Sequence, residues 1–350
     1  MSVVINLLIS AEPTIILTTT SQPVTHCMPT LLYKIMLIAA VLFGVTSQAG
    51  DKAKLIDNIA QCPNGVVVLG SGGPIADDNR ASSGYLIMLN GKARLLIDAG
   101  SGIHLRMGQL KVNFADIEAI GLSHFHTDHS ADLPALLKSS YFTSERDLLV
   151  ISGPSSSQEF PGVREFIDGL FNPKTGIYRY LNGALDGSDM AKLLPVEVTN
   201  GRTSPTNVIK RPDLKLSAVS VHHGIVPAVA YHLEIKADDK VFRIAITGDL
   251  SDRNTPFFKS LKELDLLIVD HAIPQMAGNV AKRLHMTPRQ IGRVSRSNNI
   301  KHLVLSHIMQ RSAARLDQSL EIIRYNYLGP VTVAEDRLCL PLESIKKSSK

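Results

Sequence analysis

Ser123-His124-Phe125-His126-Thr127-Asp128-His129 is the stretch that decides how this chain is read. Three histidines and one aspartate fall within six residues, in the form H-x-H-x-D-H. Imidazole and carboxylate are the usual ligands of zinc and related first-row metals. In an extended turn, His124 and His126 project to one side and can share an ion. Asp128 and His129, one turn further on, can take a second ion beside it. Two ions about 3.5–4 Å apart would hold a bridging hydroxide and polarise the ester oxygen of a substrate. A plain polar surface loop has no need of this spacing.

Residues 118–122 read as a strand running into the histidine block, and Asp132-Leu133-Pro134 opens a helix after it, with Asp in a capping role and Pro early in the first turn. Further ligands stand where apolar strands run out into loops, the place where catalytic residues concentrate. His222-His223 ends the strand 214–221, Asp249 follows the strand 241–247, and His307 follows the strand 303–305. Short buried strands are also expected at 66–69, 148–151 and 266–269, and a further strand at 229–235. Asn90-Gly91 between 85–89 and 94–98 is a strong hairpin signal. Helices are expected at 103–110, 158–171 and 313–325. Thr287-Pro288-Arg289-Gln290 is a capping box with Pro at the first helical position. The polar, Gly/Pro-rich stretch 153–213 reads as an insertion or lid. Strands and helices alternate, with hairpins near the start, so the class is α/β or α+β.

The whole chain has 350 residues, 44% hydrophobic and 20% charged, which excludes a disordered chain, a coiled coil and a collagen-like fibre. Three cysteines exclude a disulfide miniprotein and a cysteine-cluster zinc module. Trp is absent and aromatics make up 5%, which disfavours a base-stacking platform. No Gly-Lys-Ser/Thr follows Gly70-Ser71-Gly72-Gly73-Pro74, so a nucleotide-binding P-loop is not expected, and G-x-S-x-G is absent, so neither is a serine-hydrolase elbow. The net charge of +5 fits an anionic substrate.

Residues 1–49 read as an address. Lys34, the apolar run 35–45, and small residues at Ser47 and Ala49 have the layout of a secretory signal cut near Ala49, with the true start at Met28. The apolar run is shorter than the roughly 20 residues of a membrane span. The expected location is therefore periplasmic or secreted, with no stable membrane association after cleavage. Residues 50–350 would form a single catalytic domain. In an oxidising compartment, Cys62 and Cys339 are either joined or two separate buried thiols.

These motifs resemble the metallo-β-lactamase-fold hydrolases, in the branch of ribonuclease Z, phosphodiesterase-like and arylsulfatase-like enzymes. The likeness covers most of residues 65–310. It rests on Leu69 to Pro74 with Arg80, Leu96-Ile97-Asp98-Ala99-Gly100, the H-x-H-x-D-H block, His223-Gly224-Ile225, Ala230-Tyr231, Thr247-Gly248-Asp249 and Leu305-Ser306-His307. It implies a four-layer αββα sandwich with a site for two Zn²⁺ (or Mn²⁺ or Fe) on one sheet edge. It implies His124, His126 and His223 on the first ion, Asp128, His129 and His307 on the second, and Asp249 bridging. Asp128 would also steer the attacking hydroxide, and His285, in His285-Met286-Thr287-Pro288, would be the general acid. Where that branch carries a His-Glu pair, this chain has Asp270-His271. The implied function is an exported hydrolase cleaving a phosphodiester or sulfate ester through a metal-bound hydroxide, on a small-molecule or oligonucleotide ester. A homodimer stays open. The alternatives are a lactone or β-lactam hydrolase, a mononuclear-iron dioxygenase of the same fold, and a non-catalytic relative. The last is disfavoured because all seven ligand residues are present.

Overall fold

The computed structural model describes residues 53–143, 147–251, 255–260 and 263–347. The signal segment expected over 1–49 lies outside them. Fifteen strands are described. They are β1 (Lys54–Leu55), β2 (Gly65–Gly70), β3 (Gly84–Leu89), β4 (Lys92–Ile97), β5 (Ala119–Gly121), β6 (Leu148–Pro154), β7 (Lys192–Val198), β8 (Thr206–Lys210), β9 (Leu214–His223), β10 (Val226–Ala237), β11 (Lys240–Ile246), β12 (Leu266–Asp270), β13 (Leu303–Ser306), β14 (Val331–Val333) and β15 (Leu338–Pro341). They form two sheets, ordered β1-β15-β2-β3-β4-β5-β6-β7 and β14-β13-β12-β11-β10-β9-β8.

Alternation along the strands explains the layering. Successive side chains of a strand point to opposite faces, so an all-apolar strand must be covered on both. Val66 and Val68 of β2 pack in one cluster with Leu216, Tyr231, Leu233, Ile244 and Ile268 of the other sheet. Val67 and Leu69 pack instead with Ile103, Met107, Leu136 and Phe171 of the covering helices. On the second sheet, Leu267 and Val269 meet Ile291 and Ile323 of a second helical layer. One core between the sheets and one outside each sheet make the four-layer αββα sandwich.

The Asn90-Gly91 hairpin forms as expected, joining β3 to β4 with both turn residues at positive φ (54° and 75°). The helix Pro288–Ser297 starts at the Thr287 signal, where the Gln290 side chain accepts from the Thr287 N–H at 2.7 Å. The stretch 153–213 is a correction. It is not an insertion laid on the fold but supplies β7 and β8, the outermost strand of each sheet. Pro195 within β7 masks it in the sequence, because proline cannot donate to a ladder. It is tolerated here because β7 pairs only with β6. The helix expected from 158 begins at Val163, after Pro161-Gly162.

Topology sets where the loops emerge. β4 to β7 run parallel, as do β11 to β14, and β9 runs with β11 because each is antiparallel to β10. The C-terminal ends of β4, β5, β9, β11, β12 and β13 therefore open on a common edge of the sandwich.

Cys62 and Cys339 are joined by a disulfide, 277 residues apart in sequence. It ties the segment before β2 to β15, next to β2 in the sheet. Closing so long a loop restricts the unfolded chain, an effect typically worth about 2–4 kcal/mol. Among the described residues, no helix is long and apolar enough to cross a membrane.

Candidate metal centre

The seven residues expected as ligands converge on that sheet edge. His124 and His126 leave β5, with His126 at the N-terminus of the short helix Thr127–Ser130 that carries Asp128 and His129. His223 is the last residue of β9, Asp249 follows β11, and His307 follows β13. His124, Asp128, His129, His223, Asp249 and His307 are buried.

They fall into two groups sharing Asp249. In the first, His124 Nε2 lies 2.9 Å from His126 Nδ1, and His223 Nε2 lies 3.7 Å from Asp249 Oδ2. In the second, Asp128 Oδ2 is 3.1 Å from His307 Nε2 and 3.5 Å from His129 Nε2. Asp249 Oδ1 stands 3.3 Å from His307 Nε2 and 3.5 Å from His129 Nε2. The donors of a tetrahedral zinc site, with bonds of about 2.0–2.1 Å, lie about 3.3 Å apart. The second group has that spacing.

Unpaired atoms give an independent test of fit. His129 Nε2, His223 Nε2 and Asp249 Oδ1 are buried with no hydrogen-bond partner, although each points into the cluster. Buried polar atoms are rarely left unpaired, and a divalent ion between them would satisfy all three. An all-nitrogen-and-oxygen donor set, with no thiolate, suits zinc or a neighbouring first-row ion.

The supporting shell contains residues to which the sequence reading gave no role. Asp98 is fully buried, just past β4. It accepts from the Ser123 N–H (2.7 Å) and hydroxyl (2.9 Å), and its Oδ2 lies 2.8 Å from His129 Nδ1. That contact leaves His129 Nε2 facing the cluster, as in the usual carboxylate–histidine–metal arrangement an ion there would complete. His223 is set likewise by Nδ1 against the Leu284 carbonyl at 3.0 Å. Asp98 and His307 both adopt left-handed backbone (φ 60° and 53°), a conformation that costs about 1–2 kcal/mol for a residue with a Cβ. Gly73 is required beside His307, since a Cβ there would come within 2.8 Å of the imidazole ring.

His285 lines the same cleft, with Nδ1 2.7 Å from Asp270 Oδ2 at the end of β12. Asp270 thus occupies the partner role left open by the Asp270-His271 sequence. His271 is fully buried, does not line the cleft, and has neither ring nitrogen hydrogen-bonded; burial lowers its pKa to about 4. His222 turns away from the cluster, with Nδ1 2.8 Å from the Ser251 hydroxyl. Arg311 is a lining residue the sequence reading missed; its position four residues after His307 was the available signal. Its Nε donates to the Ala272 carbonyl at 2.8 Å. Phe125, Leu284 and Met309 line the cleft, whose volume is about 550 Å³.

The electrostatics divide the imidazoles. Burial lowers the pKa of His124 well below the ordinary histidine value and that of His223 to about 4, so both offer free lone pairs at neutral pH. Burial would also lower His129 and His307, but carboxylates overcome it. Asp249 and Asp98 hold His129 well above the ordinary value, and Asp249 and Asp128 raise His307. Burial would raise the carboxyls of Asp128 and Asp249, yet the facing imidazoles hold both below the usual carboxylate range. Metal uptake must therefore displace protons from His129 and His307. Raised pKa values keep those protons in place at low pH and release them as pH rises, so affinity must strengthen with pH. Competition titrations with a chelating dye are expected to show zinc binding at least about tenfold tighter at about pH 8 than at about pH 6. A pH-independent affinity would contradict this.

Comparisons agree with the geometry. A family described as "Anti-Pycsar protein Apyc1" matches residues 65–159. Ribonuclease Z of Nocardia farcinica is 26% identical, covering 79% of this chain and 97% of its own length. The crystal structure of the short form of human tRNase Z superposes with a TM-score of 0.60 at 20% identity, covering 79% of this chain and 98% of that one. The metallo-β-lactamase-fold protein YhfI from Bacillus subtilis superposes with a TM-score of 0.59 at 21% identity, covering 77% and 95%. At these identities the solved structures speak for the fold, while the sequence likeness extends along nearly the whole of the ribonuclease Z chain. The chain therefore has the metallo-β-lactamase fold, and in sequence it is similar to ribonuclease Z along nearly the whole length of that enzyme.

Proposed function

We propose that this protein is an exported di-zinc phosphodiesterase. One observation carries the reading: two donor groups joined by Asp249 share an open cleft with the His285–Asp270 pair. The chemistry that divalent ions supply when bound is polarisation of the ester and a water acidic enough to attack near neutral pH. The protein's own groups then have distinct tasks. His124, His126, Asp128, His129, His223, Asp249 and His307 hold the ions, and Asp128 also orients the attacking water. His285 has Nδ1 engaged by Asp270, which leaves Nε2 to protonate the departing oxygen. Arg311, anchored through Nε, presents the rest of its guanidinium to an anionic ester. The apolar wall limits water around the reacting group.

The likeness to ribonuclease Z favours a phosphodiester, oligonucleotide esters included, over a sulfate ester, lactone or β-lactam. The disulfide supports an oxidising compartment. The test uses protein recovered from the periplasm, with intact mass confirming a chain beginning near Gly50. Loaded with zinc or manganese, it is assayed on a nitrophenyl phosphodiester, a nitrophenyl sulfate and a lactone. Turnover of the phosphodiester is expected, lost on metal removal. Selective turnover of the sulfate or lactone would move the substrate class, and iron in the isolated protein with no turnover would sink the hydrolytic reading.

A further inference from the structure

Residues 271–316 contain eight Lys and Arg and no Asp or Glu. The chain's net charge is +5, so all remaining residues together sum to −3 (5 − 8). This basic segment includes His285 and His307, so it borders the metal centre. Among the described residues, little of its charge is absorbed by ion pairs. Lys301 is neutralised by Asp265 at 2.7 Å, but Arg289, Arg293 and Arg296 are exposed and have no carboxylate within ion-pair distance among the described residues. They occupy positions i, i+4 and i+7 of the helix Pro288–Ser297, hence one face of it.

Arg289 and Arg293 line a cavity of about 470 Å³ together with Glu321, Ile322, Tyr325 and Asn326 of the helix Leu316–Asn326. Tyr325 is 88% exposed. Guanidiniums that, among the described residues, lie beyond ion-pair distance of Glu321 and every other carboxylate, with an open aromatic face beside them, suit a strand of nucleic acid. Arginine forks pair with phosphate oxygens, and a tyrosine ring stacks on bases. The site is also concave, which suits a chain lying in it better than a flat lipid surface.

We propose that the Arg289–Arg293 face and Tyr325 form an anchoring site for a single-stranded polynucleotide, distinct from the metal centre and holding phosphates away from the scissile one. The proposal rests on the phosphodiesterase reading for its catalytic meaning, but binding at this site does not depend on the metals. Helix position sets the geometry. Arg289 lies four residues beyond His285 in the chain, in the first turn of the helix Pro288–Ser297. A single small ester gains nothing from the anchor, whereas a chain does.

The test is fluorescence anisotropy of a labelled short oligoadenylate with the full protein in EDTA, so that cleavage cannot intervene. The wild type is expected to bind, more weakly as salt rises. Arg289→Glu/Arg293→Glu is expected to bind roughly 10–100-fold more weakly, with a salt slope shallower by about 1.4, about 0.7 for each phosphate no longer neutralised. Arg289→Gln/Arg293→Gln guards against misfolding of the charge reversal and is expected to show a smaller loss in the same direction. Hydrolysis of the nitrophenyl phosphodiester should stay within about twofold of wild type. Unchanged oligonucleotide affinity in both double variants overturns the proposal. So does arginine-dependent binding to phosphatidylglycerol vesicles without binding to the oligonucleotide, which would make the face a membrane contact. Arginine-dependent oligonucleotide binding in a protein that cleaves no phosphodiester upholds the anchor and removes the phosphodiesterase reading alone.

Discussion

Asp249→Ala is expected to reduce phosphodiester hydrolysis about 10³-fold or more and to lower the metal content of the purified protein. Asp249 is the one side chain common to both donor groups, within 3.3–3.7 Å of His307, His129 and His223. Removing it would withdraw the donor shared by the two proposed ion sites and the negative charge that balances the imidazoles. A divalent ion contributes several kcal/mol of charge stabilisation in the transition state, and about 1.4 kcal/mol is a factor of ten in rate. Asp128→Ala disturbs the second group directly and leaves the first with its full donor set. Elemental analysis should therefore show a deeper loss of metal for Asp249→Ala than for Asp128→Ala. If Asp249→Ala kept its metal and its rate, the shared-ligand assignment would be wrong.

His285→Ala is the second large effect, and its signature is selectivity. General acid catalysis typically contributes about 10²–10⁴-fold, but only where the leaving group needs a proton. Cleavage of a diester with an alkoxide leaving group, such as a dinucleotide, should fall by about that factor. Nitrophenolate leaves without assistance, so the nitrophenyl diester should be much less affected. Asp270→Asn should reproduce the selectivity more weakly, because Asp270 acts through His285, fixing its ring and stabilising the imidazolium. Burial raises the Asp270 pKa, so its charge is sustained by the facing histidine and not by solvent. Equal losses on both esters would make His285 a structural or binding residue instead of a proton donor.

Several elements were legible because their signals are local. The Asn90-Gly91 turn needs two positive-φ residues, and the Thr287-Pro288 helix start needs a cap and a fixed φ; each requirement is met within four residues of chain. The H-x-H-x-D-H block is likewise self-contained. β7 and β8 were missed because an edge strand has only one neighbour, tolerates Pro195, and carries a weaker apolar pattern. Asp98, Asp270 and Arg311 were visible as residues but not as participants. Each works through a partner between 15 and 39 residues away: Asp98 with His129, Asp270 with His285, Arg311 with the Ala272 carbonyl.

The amino-acid sequence by itself determined the ligand types, their order along the chain, and their place at the ends of apolar strands. Those follow from residue chemistry and from patterns a few residues long. Only the tertiary structure decided that segments from 98 to 307 meet at one edge, since that depends on which strands run parallel and in what sheet order. It also showed how His223, which the family resemblance had already favoured, and its neighbour His222 come to face different surroundings. Adjacent residues on a strand face opposite ways, so the register of β9 against β10 alone places one ring in the centre and the other against Ser251.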